Sequence, residues 1–474
     1  MKVLFLNPPF SDYAGLKGHG GTALPLNLAY IAAYLREQKP HVEVAILDCE
    51  GLGLSYEQIE DKVRDVGPDI VAITLPTPAY AQVLEVCARL KKISSDIMIV
   101  VGGPHPSALP EQTLKEPDID IGVIGEGEVT FCCLIDALEN KTDLADLRGI
   151  VYKDGQGKIH LTPRAPLIKD LDSLPFPARD LLPLDIYLAP PTKRMSDKKS
   201  GNMITSRGCP YRCTYCMASV MWERKVRFRS VKNVVDEIEH CLKEFGLGEF
   251  NFHDELFTQN RQRTLDICRE IRRRKLDIAW VCMIRVDYIA EDVLLEMKAA
   301  GCRKIMFGFE SGSQMILDKM KKKVALERAE EAVAAVKKVG IKTAGNFMFG
   351  NIGETEETIR QSIDLAKKLN TDTCAFFISS PYPGTEFYEI AKEKGYLRSD
   401  LQWKDFCLVS NNLPPLNLPG LPAERLLELQ KQAYREYYLR FAYLKEKLLG
   451  IRSMVEIKNL INGALLLFRI EKGG

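Results

Sequence analysis

The sequence lacks several features that would place it in other classes of protein. Its 65 basic residues nearly balance 64 acidic ones, so its charge gives no support for nucleic-acid binding. No apolar run approaches the ~20 residues that a membrane-spanning helix needs. The opening MKVLFLNPPF lacks the long apolar region and cleavage site of a signal peptide. Its thirteen cysteines are spread over 474 residues, unlike a small secreted disulfide scaffold. We therefore expect a cytoplasmic protein in a reducing compartment.

A short loop contains three of the cysteines, and no fourth cysteine is near it. Cys209, Cys213 and Cys216 lie in the run SRGCPYRCTYC, with the spacing C-x₃-C-x₂-C. A cuboidal iron–sulfur cluster needs four ligands, so three thiolates leave one iron open to a small molecule. Structural zinc sites use four closed ligands, often as paired C-x₂-C hooks. The polar and proline spacers of the loop argue against a buried core turn, and we predict a cluster.

With the aromatic Tyr215 before its last cysteine, this loop resembles the signature of radical S-adenosylmethionine (SAM) enzymes. The resemblance implies a [4Fe–4S] cluster whose open iron binds the amino and carboxylate groups of SAM. One-electron cleavage of SAM then gives a 5′-deoxyadenosyl radical. It also implies an electron donor such as flavodoxin or ferredoxin, and sensitivity to oxygen that calls for anaerobic conditions.

Residues 1–140 alternate short strands and helices, which predicts a doubly wound parallel sheet of Rossmann-like type. The predicted strands are 3–7, 42–47, 69–74, 97–101 and 121–124, and the predicted helices are 26–37, 56–66 and 79–92. Ligands bind such sheets at the loops beyond the carboxyl ends of the strands. Those loops are 7–9, 74–77, 102–105 and 125–128.

A second βα series follows a proline-rich connector over 141–200, which contains a strand pair at 149–153 and 158–162. Six strands are predicted at 203–205, 249–253, 279–284, 304–309, 343–349 and 373–379. Helices are predicted at 234–245, 263–274, 291–300, 326–339 and 355–369. Six βα units suit a partial (β/α)₆ TIM-like barrel over 201–395, the fold that radical SAM enzymes use. A helical C-terminal region is predicted over 396–474.

Candidate SAM contacts follow the barrel strands, where active sites of such barrels lie. Asp254 and Glu255 resemble the acidic segment that binds the SAM amino group in the superfamily; alternatively they are an acidic pair at a helix N-terminus. Glu310 could accept hydrogen bonds from ribose or the amino group, and Ser311 leaves room beside it. Arg285 is either a carboxylate partner or part of a structural salt bridge. The segment 350–355 resembles an adenine-side motif but has Ile352 where relatives have proline.

The N-terminal domain resembles the cobalamin-binding domain of one large class of these enzymes. The resemblance rests on the opening Asn-Pro-Pro, on PLNLAYIAAYLR at 25–36, and on the loops 102–105 and 125–128. It implies a set of corrin-binding residues, which are Thr74, Thr77, Gly102, Gly103, His105, Gly125, Glu126 and Gly127.

A histidine that would bind the cobalt from below is not apparent. The loop 11–15 lacks the D-x-H-x-x-G motif, and the similar segment 48–53 has Glu50 where the histidine would be. His19 and His105 are expected to be solvated or hydrogen-bonded loop residues rather than axial ligands. We predict a cobalt without a histidine below it.

Two other segments leave alternatives open. The basic run WERKVRFR at 222–229 suggests RNA contact, surface ion pairing, or a loop that closes the cofactor site; ion pairing is favoured over RNA. The tyrosine-rich helical tail from residue 421, with a second piece at 457–468, either packs as core or lies on a membrane interface. The core interpretation is favoured, with peripheral membrane contact left open.

The combined resemblance covers about residues 1–400 and implies a cobalamin-dependent radical SAM methyltransferase. We expect methylation of an unactivated carbon, through the 5′-deoxyadenosyl radical and methylcobalamin, on a small substrate that could be apolar or lipid-like. The alternative is an oxidative cyclase or rearrangement enzyme with the same cofactors. A methylthiotransferase is disfavoured, because Cys49, Cys87, Cys132 and Cys133 do not form its N-terminal cluster set and the tail is helical. The catalytic residues and the substrate are not predicted.

Overall fold

Residues 1–9, 23–187, 194–406 and 413–449 are the part of the chain that the computed structural model describes. The predictions for the loop 11–15, for His19 and for the helix 457–468 lie outside these residues. The strands are β1 (Lys2–Asn7), β2 (Glu43–Asp48), β3 (Ile70–Thr74), β4 (Met98–Gly102), β5 (Ile121–Val123), β6 (Ile150–Lys153), β7 (Ile159–Leu161), β8 (Lys199–Met203), β9 (Ser206–Arg207), β10 (Arg227–Phe228), β11 (Leu247–Phe252), β12 (Ala279–Ile284), β13 (Cys302–Glu310), β14 (Lys342–Phe349) and β15 (Thr373–Ile378).

The α-helices fall between these strands and after them. They are α1 (Leu26–Gln38), α2 (Cys49–Leu52), α3 (Tyr56–Val66), α4 (Tyr80–Ile93), α5 (Pro104–Ala108), α6 (Pro110–Thr113), α7 (Gly127–Asn140), α8 (Ala218–Trp222), α9 (Val231–Phe245), α10 (Arg261–Arg273), α11 (Glu291–Ala299), α12 (Gln314–Lys319), α13 (Arg328–Lys338), α14 (Glu356–Leu369), α15 (Glu386–Glu393), α16 (Ala423–Tyr438) and α17 (Phe441–Leu449).

The first sheet has the order β2-β1-β3-β4-β5-β6-β7, and its first five strands are parallel. Helices α1 and α7 cover one face, and α3 and α4 cover the other. Local signals agree with this fold: a capping box at Ser55 begins α3, Ile59 and Val63 bury one side of it, and Gly67 ends it in a left-handed conformation. The predicted doubly wound sheet is confirmed.

Two features of the first sheet were not predicted. Helix α7 begins at Gly127, directly after a loop of glycine and glutamate that gives no helical pattern by itself. Strands β6 and β7 fall in the predicted connector, but β6 pairs antiparallel with β5 and β7 pairs antiparallel with β6, so both extend the first sheet. Part of the connector therefore folds with the N-terminal region.

The second sheet is parallel, with the order β15-β14-β13-β12-β11-β8. Helices pack around it over an extensive apolar core, as expected for a partial TIM-like barrel. The prediction for its first strand, 203–205, was wrong. The strand is β8, which ends its pairing with β11 at Met203. Beyond it, the Thr205 backbone N–H donates to the Asp254 carboxylate at 2.7 Å instead of to a neighbouring strand.

The tyrosine face of the tail is core, as favoured from the sequence. Tyr437 is fully buried in α16, and Tyr434 and Tyr438 are half-buried beside β15. Several apolar side chains at the end of α16 and in α17 are exposed, among them Phe441. In the described part of the chain, no helix has both the length and the apolar character needed to cross a membrane.

Candidate functional site

The cysteine loop lies between β9 and α8, beyond the carboxyl end of β8. Three backbone hydrogen bonds fix its course: Cys216 N donates to Cys213 O at 3.2 Å, Thr214 N to Met320 O at 3.0 Å, and Phe387 N to Thr214 O at 2.9 Å. The loop is thereby anchored to the residue that follows α12 and to the first turn of α15, both of them distant in sequence. The cysteine loop has little intrinsic preference for one backbone conformation, so these partners, distant in sequence, determine its conformation.

Gly208, directly before the first cysteine, is required by the geometry. Its φ is +98°, and a Cβ placed on it would lie 2.1 Å from the Lys225 carbonyl oxygen. Any side chain would therefore force the β9–β10 ribbon away from the loop.

The three cysteines fit a metal cluster. All are partly exposed on one loop, whereas most other cysteines of the described chain are buried. Burial raises the pKa of each thiol, that of Cys216 to about 11, so the free loop holds thiols that release protons when a cluster binds. Around Cys213, the cations Lys322 and Arg285 lower the thiol pKa and Glu310 raises it.

Glu310 lies at the end of β13 and faces the cysteine loop. Its Oε1 accepts hydrogen bonds from the Lys322 ammonium at 2.7 Å and from the Tyr215 hydroxyl at 3.1 Å. Glu310 also adopts a φ of +67°, a conformation that is unfavourable for a residue with a Cβ. The structure thus brings Glu310, a predicted SAM contact, together with Tyr215, the aromatic residue of the cysteine motif and a predicted cofactor-binding residue.

Lys322 is a residue that the sequence did not single out. It lies in the run Lys-Met-Lys-Lys-Lys at 319–323, a pattern typical of a solvated charged surface. In the structure only 7% of Lys322 is exposed, and its ammonium pairs with Glu310. No local pattern distinguishes it from its neighbours, because only the tertiary fold buries this one lysine.

The acidic pair after β11 divides into two roles. Asp254 is 2% exposed, and its carboxylate accepts from the Thr205 N–H and hydroxyl and from the Ser206 hydroxyl at 2.5–2.7 Å. Glu255 accepts from Gly208 N at 3.2 Å and is only half-buried. Asp254 therefore fixes the chain before the cysteine loop. Glu255 is the more exposed of the two side chains and is the better placed to contact a ligand.

Two further predicted contacts make internal bonds. Arg285 donates to the Asp287 carboxylate through two nitrogens at 2.9 Å, donates to two carbonyls of the 322–323 segment, and lies 3.5 Å from the centre of the Tyr211 ring. Ser311 is fully buried against Ser362 at 3.3 Å. For Arg285 the structure shows the salt bridge that the sequence left as one alternative.

The glycine loops of the first sheet lie together at the carboxyl ends of β3, β4 and β5. Gly103 has a φ of +107°, and a Cβ there would lie 3.4 Å from the Thr74 hydroxyl. Gly125 has a φ of +80°, and a Cβ there would meet no atom within 4 Å, so it would project into open space. Gly102 and Gly127 flank this edge. Its exposed backbone provides a cradle that a large planar ligand could approach closely.

His105 is buried inside this edge rather than presented at it. Its Nδ1 is 3.1 Å from the Thr77 hydroxyl, its Nε2 is 3.0 Å from Gln112 Oε1, and the Tyr80 and Trp403 rings pack on it. Burial lowers its pKa, so the ring stays neutral. Both ring nitrogens are occupied, which agrees with the expectation of a hydrogen-bonded loop residue rather than an axial ligand.

Glu126 is 9% exposed and joins the two sheets. Its Oε1 accepts from Arg207 at 2.6 Å, and its Oε2 accepts from Arg227 at 2.6 Å and from Ile168 N at 2.8 Å. Arg227 and Arg229 of the basic run 222–229 therefore make buried ion pairs, in line with the ion pairing that the sequence favours over RNA contact. The predicted cofactor roles of the individual residues stay predictions.

Comparison with known proteins agrees with this geometry. A B12 binding domain model matches residues 19–135, and a radical SAM superfamily model matches residues 203–366. An uncharacterized methyltransferase of Pyrococcus horikoshii is 35% identical over 469 residues, which are 99% of each chain. An anaerobic magnesium-protoporphyrin IX monomethyl ester cyclase of Rubrivivax gelatinosus is 30% identical over 94% of this chain and 79% of the cyclase.

Among solved structures, the radical SAM methyltransferase TsrM of Kitasatospora setae has a TM-score of 0.68 and 22% identity, over 92% of this chain and 81% of that one. This likeness confirms the predicted architecture. The two family matches confirm the predicted cofactor classes, cobalamin and SAM with its iron–sulfur cluster.

Proposed function

The chain belongs to the radical SAM enzymes that have a B12-binding domain, and from that premise we propose that it methylates an unactivated carbon of a small molecule. The observation that carries the proposal is the direct contact between the two cofactor regions. Glu126 lies in the glycine loop after β5 and accepts a hydrogen bond from Arg207 at 2.6 Å. Arg207 lies two residues before the first cluster cysteine. This contact supports a shared site for the cofactors and a substrate, as transfer between them requires.

The residues divide between holding the cofactors and fixing the loops. Cys209, Cys213 and Cys216 would hold the cluster, the half-buried Glu255 and the Glu310–Tyr215 pair would bind SAM, and the backbone at Gly103 and Gly125 would cradle cobalamin. When bound, these groups supply one-electron cleavage of SAM and a transferable methyl group. Asp254 and Arg285 would act indirectly, because Asp254 already bonds Thr205 before the cysteine loop and Arg285 already bonds Asp287 and the carbonyls of residues 322–323.

Lys322 is a further candidate for SAM. Its buried ammonium lies beside Glu310 and near the cluster cysteines, so a carboxylate entering here would meet a cation already shielded from water. Glu310 and Lys322 together present one anion and one cation, which matches the ammonium and carboxylate of an amino acid.

A second candidate function is an oxidative cyclase or rearrangement with the same cofactors. It is favoured by the similarity to the magnesium-protoporphyrin cyclase over 94% of this chain. An apolar or lipid-like substrate, a flavodoxin or ferredoxin as reductant, and a peripheral membrane contact through the C-terminal helices stay predictions. No residue in the described part of the chain distinguishes methylation from cyclisation.

Product analysis tests the proposal. The cluster- and cobalamin-loaded protein is incubated anaerobically with SAM and a reductant, and 5′-deoxyadenosine and S-adenosylhomocysteine are quantified by mass spectrometry. We expect both products, with S-adenosylhomocysteine lost when cobalamin is withheld. Deoxyadenosine alone would contradict methyl transfer and favour the cyclase.

A matched pair of cysteine variants separates the cluster loop from general thiol effects. Cys213→Ala should abolish deoxyadenosine formation and the cluster absorbance together, because one of three ligands is lost. Cys133→Ala removes an exposed cysteine of α7 and should leave both unchanged. Deoxyadenosine formation by the Cys213 variant at the wild-type rate would contradict the assignment of the cluster.

A further inference from the structure

Four buried side chains connect the first sheet to the cluster loop. Arg207 donates to Glu126 at 2.6 Å and to Glu128 at 2.5 Å, and Arg227 donates to Glu126 at 2.6 Å. All four side chains are at most 9% exposed. We call Glu126, Glu128, Arg207 and Arg227 the interdomain ion cluster. With two carboxylates and two guanidiniums, its formal charges balance.

The interdomain ion cluster lies between the two proposed cofactor loops. Glu126 is flanked by Gly125 and Gly127, which line the cradle of the first sheet. Arg207 and Arg227 are paired in register across the β9–β10 ribbon, and Arg207 is followed directly by Gly208 and Cys209. Only one residue therefore separates Arg207 from a cluster ligand, so a shift of Glu126 or Glu128 reaches the cluster loop through few bonds.

A third contact extends the connection to the acidic segment after β11. The guanidiniums of Arg207 and Arg227 each lie 5.7 Å from the centre of the Trp222 ring. The Trp222 side chain in turn lies close enough to Glu255 to oppose the rise in pKa that burial causes in this carboxyl, and Glu255 also accepts from Gly208 N at 3.2 Å. Glu255, a proposed SAM contact, is thus linked to the cobalamin loop through the tryptophan and the arginines.

Stability alone is a weak explanation for such an arrangement. Buried ion pairs lose much of their Coulomb energy to desolvation, and apolar residues of similar size often stabilise a fold equally well. Here, moreover, Nε and Nη2 of Arg227 are buried without a hydrogen-bond partner in the described part of the chain. What charged groups add is a fixed geometry, because a planar guanidinium can bind two carboxylates only in one orientation.

We propose that Arg207, Glu126 and Glu128 are positioning residues that couple cobalamin binding to SAM binding. A ligand on the Gly125–Gly127 backbone fixes the two carboxylates, they fix Arg207, and the cluster loop is ordered before SAM arrives. SAM binding then costs the protein less conformational entropy. The result is positive cooperativity without a large structural change. Only the identity of the two ligands rests on the proposed function.

The coupling is measured by equilibrium binding, without turnover. SAM affinity of the cluster-loaded protein is determined with and without hydroxocobalamin, in the absence of reductant so that SAM stays intact. For the wild type we expect cobalamin to strengthen SAM binding by at least about fivefold, a typical size for coupled sites. Because coupling is reciprocal, SAM must strengthen cobalamin binding by the same factor, which is an internal check.

Two variants weaken the ion cluster in different ways. Arg207→Lys keeps the positive charge but cannot bridge two carboxylates as a fork, and Glu128→Gln is isosteric but neutral. In both, the coupling factor should fall to near one while each ligand still binds alone. The control is Glu249→Gln, which also neutralises a buried carboxylate. Glu249 lies outside the interdomain ion cluster and accepts hydrogen bonds from the backbone of residues 195–196. This variant should keep the wild-type coupling factor even if it lowers stability.

The outcomes separate this inference from the proposed function. A variant that is merely less stable would lower both affinities and leave their ratio unchanged, so an unchanged coupling factor in Arg207→Lys overturns the inference. If Glu128→Gln does not fold, Arg207→Lys decides alone, since its charge balance is intact. Absence of cobalamin binding by the wild type would overturn the proposed function and the inference together.

Discussion

Glu354 shows how burial controls the charge state of a single side chain in this fold. It follows β14 in the predicted adenine-side segment, and its Oε2 accepts from Gly350 N at 2.7 Å and from Asn351 N at 2.8 Å. Its Oε1 is buried with no hydrogen-bond partner among the described residues. Burial outweighs the backbone hydrogen bonds and raises the pKa of Glu354 to about 7.

This pKa predicts a stability that falls as pH rises. The folded state holds the proton up to about pH 7, whereas the unfolded state releases it near its ordinary pKa, so folding loses stability between those values. Glu354→Gln is neutral throughout. Relative to the wild type, its free energy of unfolding should improve by about 2–3 kcal/mol from pH 5 to pH 8. Urea denaturation of both apoproteins at each pH measures this, and a constant difference would contradict the raised pKa.

The residues of the site differ in how readily the sequence reveals them. The three cysteines are recognisable because metal ligands need a fixed residue type at a fixed spacing. Lys322 is not, because its burial depends on how the loop after α12 folds onto the barrel. Asp254 lies beyond the carboxyl end of a barrel strand, as its position after β11 suggests, but its partners Thr205 and Ser206 come from the segment that follows β8. Those contacts follow only from tertiary structure.

At the scale of elements, helix α16 closes the open edge of the half barrel. Among the described residues, strand β15 pairs with β14 alone, so its other edge would leave backbone groups unbonded. The Tyr438 hydroxyl accepts from Cys374 N at 2.8 Å and donates to Cys374 O at 2.6 Å. Tyr434 accepts from Phe376 N at 3.2 Å, and Gln430 donates to Phe376 O at 2.6 Å. Side chains of a helix thus replace the missing strand.

Removal of one hydroxyl should therefore expose this edge. Tyr438→Phe leaves both backbone groups of Cys374 without that partner, and we expect a loss of about 1–3 kcal/mol in the free energy of unfolding. Aggregation on mild heating, followed by light scattering, should increase. Tyr437→Phe is the matched control: its hydroxyl bonds Thr371, before the strand, so stability should fall without increased aggregation. Equal aggregation of the two variants would contradict the edge-protecting role.

The elements were predicted well where periodicity is strong and less well where it is absent. Strands β12 and β14 and helix α3 match their predicted ranges within one residue, because buried apolar runs and capping residues mark them. Helix α7 was missed, since Gly125–Glu128 reads as a loop, and its burial against α1 depends on the packing of Gly127 beside Ile31. Strands β6 and β7 were found, but the pairing of β6 with β5 is a long-range contact that local sequence does not encode.

At the scale of the whole molecule, buried contacts fix the two sheets relative to each other at more than one place. Beside the interdomain ion cluster, Arg179 and Arg229 both pair with Glu237 of α9, and Arg229 donates to the Tyr30 hydroxyl of α1 at 3.2 Å. A third contact places Trp403 on the rings of His105 and Tyr80. These contacts favour a fixed arrangement over a hinge.

Glu237 provides the test of that arrangement. Its exposed fraction is zero, as is that of Arg179, and the two arginines keep its pKa low despite burial. Glu237→Gln leaves two buried guanidiniums without their anion, so the free energy of unfolding should fall by about 3–5 kcal/mol. Glu239→Gln, on the same helix in a partly exposed pair with Lys243, should cost no more than about 1 kcal/mol.

The number of thermal unfolding transitions shows whether the two sheets unfold together. If the contacts make the sheets one cooperative unit, calorimetry of Glu237→Gln should show a single transition at lower temperature, and hydrogen exchange should rise in β1 and β13 alike. Two separated transitions, or exchange that rises only in the barrel, would show that the sheets unfold independently. A cooperative unit is what the proposed chemistry requires, because the cobalamin cradle and the cluster loop belong to different sheets and must keep a constant separation.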